Sequence, residues 1–217
     1  MVQSGLTITK PLDEAGSFYD RIAGLYDMTF KLNGYGRSLD QYLRAHPLPL
    51  SHGARVLDAG CGTGLLTLAL IKAAQVPVRI TAVDLSASSI AKAQRAVAES
   101  DRRSHKVSFT QANVLALPFA DESFEVVVTS GALEYVPLDE GLSELARVLV
   151  PGGHMLHLPV RPALASRFLE LLFRFKTHPP REVVENTERH FQLVEHYRFP
   201  PLEPIGWTKS AMLAQKV

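Results

Sequence analysis

The first fifty residues follow a helical pattern of apolar positions. Aromatic and aliphatic residues recur three to four positions apart from Phe18 to Phe30, which places them on one face of a helix. Asn33-Gly34 interrupts this pattern, and a shorter run resumes over residues 39–45. Residues 1–50 are therefore predicted to form a helical N-terminal segment.

From Ala54 onward the pattern changes to short apolar runs that alternate with helical stretches. Parallel strands need crossover connections of this length, so the alternation predicts a parallel sheet with helices on both faces. The predicted strands are residues 55–58, 79–84, 107–110, 124–130 and 154–158, and the predicted helices are residues 65–74, 87–100 and 138–149.

The alternation stops after Pro159. An amphipathic stripe follows, made of Leu164, Phe168, Leu171, Leu172 and Phe175. The chain closes with two β-like runs, residues 191–199 and 208–216, joined by a proline-rich stretch. These runs predict an antiparallel hairpin at one edge of the sheet.

Composition narrows the class of protein. The chain has 217 residues, a formal net charge of +1 and 46% hydrophobic residues, which argues against a disordered chain and against a nucleic-acid partner bound through bulk positive charge. The single cysteine, Cys61, cannot form an internal disulfide. With no signal-peptide pattern and no apolar stretch long enough to span a bilayer, a cytoplasmic protein is predicted. Peripheral contact with a membrane stays open, as does the oligomeric state.

The most informative segment is the turn Gly60-x-Gly62-x-Gly64, which joins a strand directly to a helix. No lysine follows Gly64, so the turn is not a nucleotide-phosphate loop, and Leu65 stands where a dinucleotide fingerprint needs its third glycine. Asp58 would repel a pyrophosphate but attract an ammonium and a sulfonium, and S-adenosylmethionine carries both. Asp84, at the end of the next strand, suits the ribose hydroxyls of either kind of cofactor.

Four segments together, residues 56–64, 83–86, 111–124 and 147–153, resemble the successive motifs of class I S-adenosylmethionine-dependent methyltransferases. The branch that looks most similar contains the ubiquinone and menaquinone C-methyltransferases and small-molecule methyltransferases (methyltransferase type 11). The resemblance implies an α/β fold, a Rossmann-like doubly wound sheet of seven strands, mostly parallel, with an antiparallel C-terminal hairpin. It also implies one methyltransferase domain, 1–217, divided into an N-terminal cap (1–50), a cofactor-binding core (51–160), a substrate lid (161–188) and the hairpin (189–217).

The resemblance also assigns residues to the cofactor. The methionine end would face the glycine turn and the end of the fourth strand, the ribose would meet the acid after the second strand, and the adenine would lie among apolar and amide side chains. The expected cofactor-binding residues are Tyr26, Asp58, Gly60, Gly62, Thr63, Asp84, Leu85, Asn113, Val114, Ser130 and Gly131. Asn113 stands where relatives usually have aspartate, and this change keeps an acceptor oxygen but removes the charge.

The sequence says less about the catalytic residues and the methyl acceptor than about the cofactor. Glu134, Tyr135 and His157 are the candidates for a base at the predicted sheet edge, and many relatives have Glu-His where this chain has Glu134-Tyr135. The apolar stripe with its surrounding cations suits a small hydrophobic acceptor such as a quinone, a lipid or a natural-product-like molecule. A phospholipid amine head group is the alternative acceptor. A nicotinamide-dependent oxidoreductase and a non-catalytic nucleoside-binding protein are the alternative functions, and no metal is expected.

Overall fold

The computed structural model describes residues 34–100, 104–163, 166, 170–171, 175–200 and 202–217. Its helices are α1 (Tyr35–Ala45), α2 (Leu65–Ala73), α3 (Ala87–Ala98), α4 (Leu138–Val148) and α5 (Pro180–Glu188). Its strands are β1 (Arg55–Ala59), β2 (Arg79–Asp84), β3 (Lys106–Gln111), β4 (Phe124–Ser130), β5 (Leu149–Leu158), β6 (Phe191–Tyr197) and β7 (Ala211–Lys216). Short 3₁₀ turns cover Leu133–Tyr135 and Pro204–Trp207.

The strands form one sheet with the order β3-β2-β1-β4-β5-β7-β6. The five strands from β3 to β5 are parallel, and β7 pairs antiparallel with both β5 and β6. The predicted fold class, a mostly parallel seven-stranded sheet with an antiparallel C-terminal hairpin, is confirmed. From β1 the chain adds β2 and β3 on one side of the sheet and then crosses to β4 on the other side. The strand order therefore reverses between β1 and β4, which is where this fold binds ligands.

Two hydrophobic cores lie on opposite faces of the sheet. Val56 of β1 belongs to the core that also contains apolar side chains of α1 and α2, whereas Leu57 belongs to the core that contains those of α4. Neighbouring strand residues therefore point to opposite faces and both are buried, as expected for parallel strands covered on both sides.

Several predicted boundaries were wrong for identifiable reasons. α1 begins at Tyr35 rather than near residue 39, because Gly34 adopts a left-handed conformation (φ 76°) and starts the helix there. β5 begins at Leu149, directly after α4, although Pro151 and the two glycines that follow resemble a turn; the register shifts between Phe124 and Val126 of the neighbouring strand accommodate this segment.

The C-terminal third also differs in detail from the sequence prediction. α5 was not predicted as a separate helix, although Pro180 occupies its first turn, where proline is tolerated. β7 starts only at Ala211, because Lys209 forms an isolated bridge with Val160 instead. Of the predicted apolar stripe, Leu171 is 82% exposed and Phe175 contacts the ring of Tyr135. Leu164, Phe168 and Leu172 lie outside the residues whose side chains are described.

Within the described part of the chain, no helix is long and apolar enough to cross a membrane.

Candidate functional site

The glycine-rich turn between β1 and α2 lies at the carboxyl edge of the sheet. Gly60, Gly62 and Gly64 have φ angles of 77°, 54° and 90°, which residues with a Cβ atom rarely adopt. A Cβ atom at Gly60 would lie 2.2 Å from that of Ala132, and one at Gly64 would lie 3.1 Å from that of Ala93. A Cβ atom at Gly62 would meet nothing within 4 Å. Packing therefore requires Gly60 and Gly64, whereas Gly62 leaves open space where a ligand can approach the backbone.

Asp58 is a fully buried carboxylate directly before this turn. Its Oδ2 accepts a hydrogen bond of 2.5 Å from the Thr67 hydroxyl of α2, and its Oδ1 has no hydrogen-bond partner among the described residues. Burial raises the pKa of Asp58 to about 7; the Thr67 hydrogen bond opposes this shift, and the negative charge of Asp84 adds to it. A buried carboxylate oxygen without a partner is costly, so the site suits a ligand that brings a cation or donor.

Asp84 joins the end of β2 to the glycine turn. Its Oδ2 accepts from the backbone N–H of Gly62 at 2.8 Å, and its Oδ1 accepts from that of Ser86 at 2.9 Å. These bonds hold the half-buried carboxylate at the carboxyl edge, next to the open space at Gly62. Leu85 follows, half-buried, and its carbonyl oxygen accepts from the Gln111 amide at 2.9 Å.

Asn113 and Val114 follow β3 on the same edge. Asn113 Oδ1 accepts from the backbone N–H of Leu115 at 3.0 Å, so the acceptor oxygen that replaces an aspartate here stabilises its own loop. Val114 is half-buried and packs against the core that contains α4. Thr63 is buried within the glycine turn.

Ser130 and Gly131 end β4, across the switch point from Asp58. The Ser130 hydroxyl and the Tyr35 hydroxyl of α1 lie 2.8 Å apart in a hydrogen bond. Tyr35 is buried, and burial raises the pKa of its phenol. The sequence analysis did not identify Tyr35, because the only signal was its position after the Asn33-Gly34 turn. Tyr26, the tyrosine that was predicted to contact the cofactor, lies outside the described residues.

Glu134 lies beyond β4 and is buried. Its Oε1 accepts from the backbone N–H of Val160, which follows β5, and its Oε2 has no partner among the described residues. Tyr135 is half-buried, with its ring 5.7 Å from that of Phe175. The two predicted candidates Glu134 and Tyr135 thus meet the start of the segment that follows β5.

Lys209 is a second functional candidate that the sequence analysis missed. Its side chain is only 1% exposed, and its ammonium donates to the carbonyl oxygen of Leu158 at 3.3 Å. Burial lowers the pKa of Lys209, and the negative charge of Glu134 opposes that shift. A buried cation therefore lies near Glu134, on the segment that leads into β7.

His157, the third predicted catalytic candidate, is 1% exposed, and neither ring nitrogen has a hydrogen-bond partner in the described parts of the chain. Burial lowers the pKa of His157 to about 3, and Lys209 and His178 lower it further. The ring is neutral near pH 7. His157 pairs with Met212 across β5 and β7, and Met212 belongs to the core on the α4 face, whereas Asp58 bonds to α2 on the opposite face.

The structure thus brings together two acids and an open turn at the switch point, with Glu134 and Lys209 beyond the neighbouring strands. Among the described residues, no group of three or more histidine, cysteine, aspartate or glutamate side chains is arranged to hold a metal ion. The acidic pair beside a turn with open space at Gly62 can hold a cationic nucleoside, and the buried Glu134 can accept a proton or a hydrogen bond.

Comparison with known proteins places this arrangement in a family. The sequence profile described as "Methyltransferase domain" matches residues 56–153. The demethylmenaquinone methyltransferase of Mycobacterium sp. (strain KMS) is 30% identical over 95% of this chain and 90% of its own length. That of Corynebacterium glutamicum (strain ATCC 13032) is 31% identical over 95% and 84%.

Solved structures share the fold at lower sequence identity. The [4+2]-cyclase SpnF aligns with a TM-score of 0.76 at 18% identity, covering 95% of this chain and 97% of its own. Geranyl diphosphate C-methyltransferase from Streptomyces coelicolor A3(2), in complex with Mg²⁺, geranyl-S-thiolodiphosphate and S-adenosyl-L-homocysteine, aligns with a TM-score of 0.69 at 18% identity, covering 83% and 76%.

The fold alone does not determine the reaction, because the cyclase shares it. The family profile and the full-length relatives do determine it: the protein is an enzyme, and S-adenosylmethionine is its cofactor. The alternatives of an oxidoreductase and of a non-catalytic binding protein are thereby set aside. This chain belongs to the class I S-adenosylmethionine-dependent methyltransferases.

Proposed function

We propose that this enzyme methylates a small hydrophobic acceptor and binds S-adenosylmethionine at the switch point between β1 and β4. One observation carries the placement of the cofactor: Asp58, just before the glycine turn, has a buried carboxylate oxygen without a partner among the described residues, and the turn itself leaves open space at Gly62. The full-length relatives that act on demethylmenaquinone, by their names, support an acceptor of the quinone or lipid class.

The residues present fit this cofactor. Bound S-adenosylmethionine would supply the methyl group of its sulfonium to the acceptor atom, with S-adenosylhomocysteine as the leaving thioether. Asp58 stabilises the positive charge at the methionine end, and Gly60–Gly64 lets the backbone approach it. Asp84 accepts from the ribose. The remaining contacts are assigned to residues along the same edge, namely Thr63, Leu85, Asn113, Val114, Ser130 and Gly131. Tyr26, outside the described residues, stays an expected contact.

Positioning is the main task of the protein, because a sulfonium is already a good leaving group. Where the acceptor atom must lose a proton, we assign that role to Glu134, because its Oε2 has no partner among the described residues. Tyr135 orients the acceptor from the half-buried side of the same turn. His157 is held in the α4-face core, and its role as a base remains a prediction.

The segment 161–188 is proposed as the lid over the acceptor. Its described part contacts the site twice: the backbone N–H of Lys176 donates to the carbonyl oxygen of Glu134 at 3.2 Å, and Phe175 packs on Tyr135. A cover of this kind excludes water from the reacting groups. Exposed apolar side chains nearby, Leu171 and Leu202, support peripheral contact with a membrane that carries the acceptor.

Calorimetry with S-adenosylhomocysteine tests the cofactor site. We expect Asp84→Ala to weaken binding at least about tenfold, because charge-assisted hydrogen bonds are worth about 1.5–3 kcal/mol each. Asp121→Ala is the matched control, since Asp121 is an exposed carboxylate paired with Arg147 before β4, at the other end of the strand. Undiminished affinity in the Asp84→Ala variant contradicts the proposed site.

Transfer of a labelled methyl group then tests the acceptor class. A demethylmenaquinol and phosphatidylethanolamine are offered separately to the enzyme. Labelling of the quinol supports the proposed class, and labelling of the lipid amine alone assigns the alternative acceptor, a phospholipid head group.

A further inference from the structure

A small open cleft lies at the carboxyl ends of β5 and β6 and the amino end of β7, beside the proposed acceptor site. Its polar lining comes from Arg161, His196, Arg198 and Ser210, and its apolar lining includes Val160 and Met212. We call it the cationic cleft. The three basic residues come from two distant segments, one after β5 and one at the end of β6, so only the folded chain brings them together.

The two cations of the cleft, Arg161 and Arg198, have no ion-pair partner within the described ranges, and His196 forms no ion pair there either. Arg161 donates to the carbonyl oxygen of Gly206 at 3.2 Å, which leaves its charge uncompensated. Burial lowers the pKa of Arg161 and of His196, and repulsion from Arg198 lowers both further. The cleft also contains His178, which lies 3.3 Å from Glu182.

Several arginines elsewhere on the surface pair with carboxylates. Arg55 lies 2.5 Å from a carboxylate oxygen of Glu125, and Arg147 lies 2.7 Å from Glu144. Concentrating uncompensated cations in one concave place costs free energy unless an anion binds there. Arginine also presents paired N–H donors that match phosphate and carboxylate oxygens.

The cationic cleft is connected to Glu134, the proposed base, through Val160. Val160, which lines the cleft, donates its backbone N–H to Glu134. The next residue, Arg161, donates its backbone N–H to the carbonyl oxygen of Thr208 at 2.6 Å, so this side of the cleft is anchored to the β6–β7 connection. Val160 thus lies between the cleft and Glu134.

Given the proposed function, on which this inference rests, we propose that the cationic cleft binds the anionic head group of the methyl acceptor. Within the proposed hydrophobic class, the acceptor is then an amphiphile that carries a phosphate, diphosphate or carboxylate. Its apolar body contacts Val160 and Met212, and the amino-terminal turn of α5, which borders the cleft at Pro180, adds its partial positive charge to the head-group site.

The test uses inorganic diphosphate as the probe, titrated into the full-length enzyme saturated with S-adenosylhomocysteine. We expect binding that weakens about tenfold in Arg198→Gln, since a charge-assisted hydrogen bond is lost. Arg198 is exposed, so this variant is expected to fold, and its melting temperature is measured alongside. Arg181→Gln is the matched control, because Arg181 is an exposed arginine of α5 that pairs with Glu185.

The outcomes separate the two proposals. Failure of S-adenosylhomocysteine to bind overturns the proposed cofactor site. Normal binding of the nucleoside, with no diphosphate binding or with equal binding by Arg198→Gln, overturns the cationic cleft alone.

Discussion

Two effects act in opposite directions on the protonation state of Asp58. Its burial favours the protonated acid, whereas the proposed cofactor favours the carboxylate. Because its pKa is raised to about 7, the ligand-free protein holds a proton at Asp58 up to neutral pH. Binding of a cation there is thus expected to release that proton and to strengthen as the pH rises through 7.

The stability of the ligand-free protein has the opposite pH dependence. In the unfolded chain Asp58 ionises near its ordinary pKa of 3.8, whereas the folded chain keeps the proton to about pH 7. The folded state therefore binds more protons between these values, and the free energy of unfolding decreases as the pH rises from about 4 to about 7. Urea unfolding at several pH values, with Asp58→Asn as the comparison, measures this.

The asparagine variant lacks the titrating group, so its free energy of unfolding should lack this part of the decrease. Other groups titrate equally in both proteins and cancel in the difference. Parallel pH profiles for the two proteins would show that Asp58 ionises normally in the folded state.

The hydrogen bond between Tyr35 and Ser130 ties α1 to the end of β4. Removing the Tyr35 hydroxyl in Tyr35→Phe is expected to lower the free energy of unfolding by about 1 kcal/mol. A double-mutant cycle with Ser130→Ala isolates the interaction, and additive effects would contradict it. Tyr42→Phe is the control, because Tyr42 of the same helix packs against the rings of Tyr197 and Phe199.

Tyr35 also illustrates what the sequence did not reveal at the residue scale. Asp58 and Asp84 were identified because their offsets from the glycine turn are local in sequence. Tyr35 and Ser130 are 95 positions apart, and Lys209 lies 51 positions from the carbonyl group that it contacts. No spacing rule connects such pairs, because their proximity depends on how the whole sheet is ordered.

At the scale of elements, two glycines of the same turn have different roles: packing requires Gly60, whereas Gly62 leaves space for the ligand. Gly60→Ala creates a contact of 2.2 Å with Ala132 and is expected to destabilise the fold severely. Gly62→Ala meets no neighbour and should lose only about 1–2 kcal/mol from its left-handed backbone. It should nevertheless bind S-adenosylhomocysteine far more weakly, because its methyl group enters the open space.

Thermal melting and calorimetry on both variants check this contrast. A Gly62→Ala variant that melts close to the wild type but binds the nucleoside normally would place the ligand elsewhere. Gly64→Ala, whose Cβ would lie 3.1 Å from that of Ala93, is the comparison for a packing effect between α2 and α3.

The hairpin shows why element types were easier to predict than element ends. Alternation of apolar residues identified β6 and β7, and the pairing of β7 with both β5 and β6 confirms the hairpin. The start of β7 was wrong because Lys209 pairs with Val160 outside the sheet. Such a bridge depends on a partner about fifty residues away, which periodicity does not detect.

At the scale of the whole molecule, three exposed apolar side chains lie on the segments that follow β5 and β6. Leu202 is 95% exposed, Leu171 is 82% exposed and Trp207 is 57% exposed. Leu202 and Trp207 lie on the β6–β7 connection, whose Gly206 carbonyl contacts Arg161. Apolar side chains beside uncompensated cations match the surface of an anionic bilayer.

Vesicle co-sedimentation tests this contact. Leu202→Ser is expected to reduce binding to vesicles of phosphatidylcholine and phosphatidylglycerol at least about fivefold, because a buried leucine contributes about 1.5–3 kcal/mol. Val194→Ser is the matched control, since Val194 is 54% exposed but lies on β6. Equal loss in both variants, or no loss in Leu202→Ser, contradicts docking through this edge.

The sequence by itself determined the alternation of strands and helices, the glycine turn and the two acids that flank it, because each depends on residues close together in the chain. Four local motifs in order were therefore enough to identify the family and the cofactor. Tertiary structure alone decided which carboxylate oxygens lack partners, which side chains of the hairpin reach the site, and where uncompensated cations gather. Burial and electrostatic fields arise from atoms that are near in space but distant in sequence, and only the ordered sheet brings them together.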